Sequence, residues 1–286
     1  MSPDDTLELF AEPASDVAAV TPLADRMRPR SLDEVAGQDA LVGAGGPLRA
    51  LSEAGELPSL LLWGPPGCGK TTIARLLANR PGLRCEVLSA VTAGVKEIRA
   101  CVEAARRERR RGLRSVLVLD EIHRLNRAQQ DALLPHVEAG TVTLIGATTE
   151  NPSFEVIAPL LSRCRVFTLA RLDEPTLAAL VRRAAADPER GLGARGLVLG
   201  EDAVAAIAAA ADGDARRALG LLEAAAALHR RRARAGEPLA LDTLREAAGR
   251  RLLLHDRDRE EHYNVVSALI KSLRASDPDA ALYYAA

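Results

Sequence analysis

Residues 64–71 read GPPGCGKT, a match to G-x-x-x-x-G-K-[ST], and no other stretch of the 286-residue chain limits its fold as much. It follows an apolar run, SLLLW at 59–63, and opens a segment with helical spacing from Thr71. A strand that turns through a glycine-rich loop into a helix is the context this motif requires. Glycines let successive backbone N–H groups close around phosphate oxygens, and the helix N-terminus adds its dipole. Gly64, Pro65, Pro66, Gly67, Cys68 and Gly69 would form the loop, with Thr72 following it. Lys70 would bridge the β- and γ-phosphates of ATP, and Thr71 would ligate Mg²⁺.

Such a loop needs a sheet behind it. SVLVL at 115–119 and TVTLI at 141–145 are short apolar runs that read as buried strands, and CRVFTL at 164–169 is another short strand. Val95, Ile98, Val102 and Ala105 recur at helical spacing across 95–111, and 126–138 is also helical in pattern. Strands alternating with helices imply an α/β fold with a parallel sheet. After Leu172 the chain becomes rich in Ala, Leu and Arg, with almost no β-branched runs. Residues 173–248 therefore read as a small all-helical lid, with Asp173 before Glu174-Pro175 as a start signal and Gly213 as a stop. The expected organisation is a disordered tail at 1–20, an α/β nucleotide-binding core at 21–172, the lid at 173–248, and a linker with the start of a further helical region at 249–286. Ser276-Asp277-Pro278 opens a helix whose Leu282, Tyr283 and Tyr284 lack a partner. The chain thus reads as a piece of a longer protein.

Asp120 and Glu121 follow the run at 115–119, at the strand end that faces ligand in an open α/β sheet. Asp120 suits the Mg²⁺ shell, and Glu121 suits a base that orients the attacking water. TVTLIGATTENPSF ends its strand in Thr148 and Thr149. Thr148 is the candidate for holding that water against the γ-phosphate, with Thr149 as the alternative. His123, just beyond the acidic pair, would couple the site to a partner or serve a structural role.

Composition narrows the partners. Net charge is −1, so contact with nucleic acid must come from a local patch. Aromatic residues make up only 2% of the chain, which disfavours base-stacking platforms. AARRERRRGLRS, with five arginines from Arg106 to Arg111, reads as a solvated helix end that suits the dipole, or as a phosphate-backbone contact. Cys68, Cys85, Cys101 and Cys164 form no C-x-x-C pair and read as reduced thiols. His255, Asp256, Asp258, Glu261 and His262 match no zinc spacing and read as a charged linker. The N-terminus lacks the basic-then-apolar order of a secretory signal, so a cytoplasmic address is expected.

Taken together, the motifs resemble those of the AAA+ ATPases. LADRMRPRSLDEVAGQ, SAVTAGVKEIR, DEIHRLNRAQQDALLPHVE, ATTENPSF and EHYNVVSALIKSLRASDPDAALYY narrow the resemblance to the RarA family, whose eukaryotic relatives are the Werner helicase-interacting ATPases. The resemblance implies further roles. Arg163 of Ser162-Arg163-Cys164 would act on a neighbouring subunit's nucleotide. Asp214 of GDARRAL would cap a helix that presents Arg216 to the γ-phosphate. Val35, Ala36 and Gly37 would contact the adenine. The family also implies DNA-stimulated ATP hydrolysis at stalled replication forks, in recombination and in repair. It further implies work with single-strand-binding protein, tetramers, and a C-terminal oligomerisation region largely absent here. The rival readings are a clamp-loader subunit, a branch-migration motor, or a nucleotide-gated scaffold with negligible turnover.

Overall fold

The computed structural model describes residues 21–55, 57–232 and 237–249. The expected N-terminal tail, the cluster at 255–262 and the helix start at 276–278 lie outside the described residues.

Before the first strand come three short helices: α1 (Leu23–Arg26), α2 (Asp39–Val42) and α3 (Pro47–Ala54). Strand β1 (Leu60–Trp63) leads through the glycine loop into α4 (Lys70–Ala78). Then β2 (Leu83–Ser89), α5 (Val95–Arg110), β3 (Arg114–Asp120), α6 (Arg127–Glu138) and β4 (Thr143–Thr148) alternate. Two single-turn helices, α7 (Pro152–Glu155) and α8 (Ala158–Leu161), precede β5 (Arg165–Thr168). The strands form one five-stranded sheet in the order β2-β3-β4-β1-β5, with every pairing parallel.

The central strands are apolar on both faces because helices cover both. Leu60 and Leu62 of β1 pack with Val116 and Val118 of β3 against Ile73 and Leu77 of α4. Leu61 points the other way, joining Leu117, Leu119 and Leu144 against Ile98 and Val102 of α5 and Leu133 of α6. Successive residues alternating between two cores is the period-2 geometry of a strand. β2 carries no such run. Its Arg84 and Glu86 pair at 2.7 Å on a half-exposed edge, which hides the strand from an apolar-run search. β4 runs further than the expected 141–145 because Gly146, Ala147 and Thr148 continue the buried pattern. Gly146 sits where a Cβ would lie 2.6 Å from Leu61 Cδ2 and 2.9 Å from Ile122 Cδ1.

The lid region is helical: α9 (Glu174–Ala186), α10 (Glu201–Ala211), α11 (Ala215–Arg232) and α12 (Leu241–Ala248). Asp173 caps α9, its carboxylate accepting the Thr176 N–H at 2.9 Å. Leu177, Val181, Val204, Ile207 and Leu222 form the lid core. That core also contains Leu23 and Met27. The expected division at residue 172 therefore needs one adjustment. The segment around α1 packs with the lid although it precedes the sheet in sequence. Glu223 of α11 explains the attachment, accepting the Leu23 N–H at 3.0 Å and pairing with Arg26 at 3.5 Å. No helix among the described residues is long and apolar enough to cross a membrane.

Candidate active site

The glycine loop lies at the C-terminal edge of β1, between β4 and β5, where connections depart in both directions. Gly67 has φ +68° and Gly69 φ +104°, in the left-handed region that favours glycine. Gly69 is the N-cap of α4 and offers no capping side chain, so the first N–H groups of that helix are available to an anion. Lys70 is buried, and its Nζ donates to the carbonyls of Gly64 at 2.8 Å and Pro65 at 2.7 Å. Burial pushes the Lys70 pKa below the ordinary lysine value, opposed by charge on Cys68, Glu121 and Asp120.

Thr71 donates its hydroxyl hydrogen to Asp120 Oδ1 at 2.9 Å. One oxygen comes from the start of α4 and the other from the end of β3, which are the donor types a Mg²⁺ ion takes. Glu121 follows in the left-handed region, φ +55°, unusual for a residue with a side chain. That backbone turns the chain away from β3 and leaves Glu121 on the cavity wall.

The cavity is lined by Pro66, Gly67, Cys68, Gly69, Lys70, Thr71 and Thr72, as the motif predicts, and by Glu121 and Thr149. Val35 and Ala36 line its other end. Arg216 reaches it from the lid, where Asp214 Oδ1 accepts the Arg216 and Arg217 N–H groups at 2.8 and 3.2 Å. Asp214 also touches the glycine loop itself. A Cβ on Gly67 would lie 1.8 Å from its Oδ1, and the Ala215 N–H donates to Gly67 O at 3.3 Å.

Some expected residues sit elsewhere. Thr148 is fully buried and off the cavity wall, its hydroxyl within hydrogen-bond distance of His123 at 3.0 Å and of the Glu150 N–H at 3.0 Å. Thr149 takes the wall position, because alternate residues of a strand end face opposite ways. Gly64 and Pro65 act through their carbonyls rather than as lining. Gly37 packs behind the wall, where φ +71° and a Cβ contact of 2.6 Å with Leu172 demand glycine. Arg163 also lies outside the cavity. It pairs with Glu138 at 2.5 Å and donates to Pro159 O at 2.7 Å, with 41% of its side chain exposed.

Other residues of the site were not singled out by the motifs, although Arg28, Glu34 and Gln38 lie in the 23–38 stretch that carries the family resemblance. Gln38 is buried and bonds Cys68 O at 3.3 Å and Ala170 O at 2.7 Å, locking the segment after Ala36 to the loop. Arg28 donates to Thr72 at 3.2 Å and to Asp25 at 2.5 Å on the cavity rim. Arg183 lines the cavity from α9, its Nη1 on Glu34 O at 3.3 Å and its buried Nε unpaired. Arg190 holds the Glu34 carboxyl below its ordinary range through a 2.9 Å contact. The four cysteines are free, and burial pushes Cys164 up to about 11.

A parallel sheet in this order, a phosphate loop after β1, an acidic pair after β3 and a helical lid carrying an arginine define a P-loop ATPase of the AAA+ class. The family comparisons agree. Residues 60–172 match the ATPase family associated with various cellular activities (AAA), and residues 193–274 match the AAA C-terminal domain. Replication-associated recombination protein A of Escherichia coli is 48% identical over 263 residues, covering 92% of this chain and 59% of that protein. An uncharacterized AAA domain-containing protein of Mycobacterium tuberculosis is 50% identical, covering 94% of this chain and 58% of that one. ATPase WRNIP1 of Dictyostelium discoideum is 38% identical over 92% of this chain and 32% of its own length. The chain belongs to the RarA family, that of the replication-associated recombination proteins A, within the AAA+ ATPases. It spans about three fifths of the length of the bacterial relatives it matches. Among solved structures, the RuvB branch migration motor of Thermotoga maritima superposes with TM-score 0.63 at 27% identity, covering 78% of this chain and 72% of that one. The Aeropyrum pernix ORC1 protein shares the fold at TM-score 0.61 and 22% identity, covering 89% of this chain and 76% of that chain.

Proposed function

We propose that the chain binds Mg²⁺·ATP in this cavity and hydrolyses it to ADP and phosphate under the control of DNA, in replication-fork maintenance, recombination and repair. The contact between Thr71 and Asp120, with Glu121 beside it on the wall, is the observation that carries the reading. Two hard oxygen donors converge at the start of α4, so the residues present fit a Mg²⁺ ion. That ion, when bound, neutralises charge on the phosphate oxygens.

The chain's own residues do the rest. The loop N–H groups and Lys70 hold the phosphates, with Lys70 moving from its two carbonyls to phosphate oxygen. Glu121 orients a water in line with the γ-phosphate, and Thr149 supports that water from just beyond β4. The water oxygen bonds to phosphorus as the bond from phosphorus to the β-bridging oxygen breaks. ADP departs and the proton passes by way of Glu121 to solvent. Arg216 balances negative charge from the lid. Val35 and Ala36 face the adenine. Arg163, exposed and outside its own cavity, acts on the nucleotide of an adjacent subunit in a homo-oligomer, a tetramer in the full-length protein. DNA forks or junctions and single-strand-binding protein are the partners, and the site of action is the cytoplasmic nucleoid. A second reading, a branch-migration motor, is favoured by the likeness to RuvB.

Steady-state hydrolysis across protein concentration, with and without forked DNA, tests the proposal. A specific rate that rises with both is expected, and no hydrolysis under any condition by a protein that still binds ATP overturns it. Junction DNA that stimulates strongly while forks do not would favour the motor. For Arg163, oligomers mixed from Glu121→Gln and Arg163→Ala subunits should regain activity that each lacks alone. Verified mixed oligomers with none would sink the trans role.

A further inference from the structure

His123 lies off the cavity wall, on the single turn Ile122–Arg124 that follows Glu121. Its Nδ1 is 3.3 Å from Glu121 Oε2 and 3.0 Å from Thr148 Oγ1. The imidazole is nearly buried, with 9% of its side chain exposed. Among the described residues the Glu121 carboxylate has no other hydrogen-bond or ion-pair partner.

Counting protons limits what this contact can be. The Thr148 hydroxyl carries one hydrogen. It accepts from the Glu150 N–H at 3.0 Å and lies 3.2 Å from the Glu150 carbonyl, to which it donates. With that hydrogen on the Glu150 carbonyl, its remaining contact, with His123, is one in which it accepts. Glu121, when ionised, can only accept. A bare Nδ1 would turn a lone pair toward a carboxylate and a hydroxyl oxygen together. An Nδ1 that carries its proton satisfies both.

We propose that His123 is a positioning residue. Its Nδ1–H is shared between the Glu121 carboxylate and the Thr148 hydroxyl, and it thereby ties the water-orienting carboxylate to the end of β4. This inference rests on the ATPase reading of the same site. Thr149 is adjacent to Thr148, so a shift of Thr149 against the γ-phosphate is passed through the buried hydroxyl to the imidazole and on to Glu121. The tie is asymmetric. The Thr148 side is short and buried, whereas the Glu121 side is longer and 35% of that side chain is exposed. Glu121 is therefore the partner free to exchange the imidazole for a water. Its left-handed backbone limits where the carboxylate can go when it does so.

The test compares His123→Ala with His123→Asn, whose amide can present an N–H near the place of Nδ1. In the full chain, with DNA present, His123→Ala is expected to lower kcat about 10- to 100-fold at unchanged affinity for a fluorescent ADP analogue. His123→Asn should recover most of that loss. If Asn is as slow as Ala in protein of unchanged melting temperature, or if Ala runs at full rate, the proposal is overturned. A second measurement is independent of turnover and of whether His123→Ala folds. With ¹⁵N-labelled histidine, an Nδ1–H resonance assigned to His123 should shift in Glu121→Gln and again in Thr148→Val. No such resonance, or one indifferent to both substitutions, would refute the sharing. Intact sharing in a chain that never hydrolyses ATP would count against the ATPase reading and leave the pair standing.

Discussion

At the scale of single residues, two neighbours at the end of β4 take positions that sequence alone could not apportion. Thr148 and Thr149 are the same residue type, one position apart, at the end of one strand. Only the register of the sheet decides which lines the cavity. Thr149→Ala should lower the hydrolysis rate and leave the melting temperature unchanged. Thr148→Val should destabilise the fold by about 1–3 kcal/mol because the Glu150 N–H and His123 lose a buried acceptor, and should slow hydrolysis as well by loosening His123. Thermal melts and steady-state rates on the two variants separate these outcomes. A second residue-scale prediction concerns Gly67. A methyl there would collide with Asp214 and also face a positive φ. Gly67→Ala is expected to weaken nucleotide binding at least tenfold, measured by titration, and to lower stability by about 1–3 kcal/mol. A variant that binds normally would show that the lid can yield.

At the scale of elements, the motifs marked the strands that matter and missed the one that does not touch the site. β1 and β3 appear where apolar runs predict them, because central strands buried on both faces cannot disguise their composition, and β5 appears near its expected place although it is an exposed edge strand. β2 went unread because an edge strand tolerates Arg84 and Glu86. β4 read short because Gly146 breaks an apolar run while fitting a space that only glycine fills. The wall residues Arg28 and Arg183, and Gln38 behind them, were illegible for another reason. Their roles depend on which surfaces the chain brings together, and no local pattern records that. Gly146→Ala should cost about 1–3 kcal/mol, and its larger effect should be on rate. The methyl pushes on Ile122, which begins the turn carrying His123. Denaturant midpoints with kcat would show whether the turn moves. The cap of α9 gives a pH prediction. Hydrogen bonds from Thr176 hold Asp173 below the ordinary carboxylate range. The unfolded chain therefore takes up this proton first as pH falls. The cap's contribution is fully present above the unfolded-state pKa and is lost as pH falls through the folded one. The stability gap between the native sequence and Asp173→Ala should narrow over that acid interval. A gap independent of pH would contradict the cap.

At the scale of the whole molecule, two stretches of chain tie the helical body to the sheet, besides the contact of Asp214 and Ala215 with Gly67. The segment beginning at α1 packs into the lid core, is laced to it by Glu223, Glu189 and Arg190, and then joins the sheet through Gln38. The second tie runs from β5 into α9, where Leu172 enters the lid core and Arg171 pairs with Asp212. Glu223→Ala removes the partner of the Leu23 N–H and of Arg26 Nη2 together, leaving Arg26 only its bond to Gly191 O, and should cost about 1–3 kcal/mol. Limited proteolysis near residue 28 should quicken in that variant, and unchanged cleavage would mean that Leu23 and Met27 hold the segment unaided.

Two separated points of attachment have a mechanical meaning. A rigid body pinned at both, once its contact at Gly67 parts, loses its freedom to slide and keeps one rotation, about the line that joins the pins. One pin here, the stretch through Val35 and Ala36, is itself part of the cavity wall. The axle of the door is thus built from the same backbone that meets the occupant of the room, so whatever fills that end of the cavity also sets how freely the door swings.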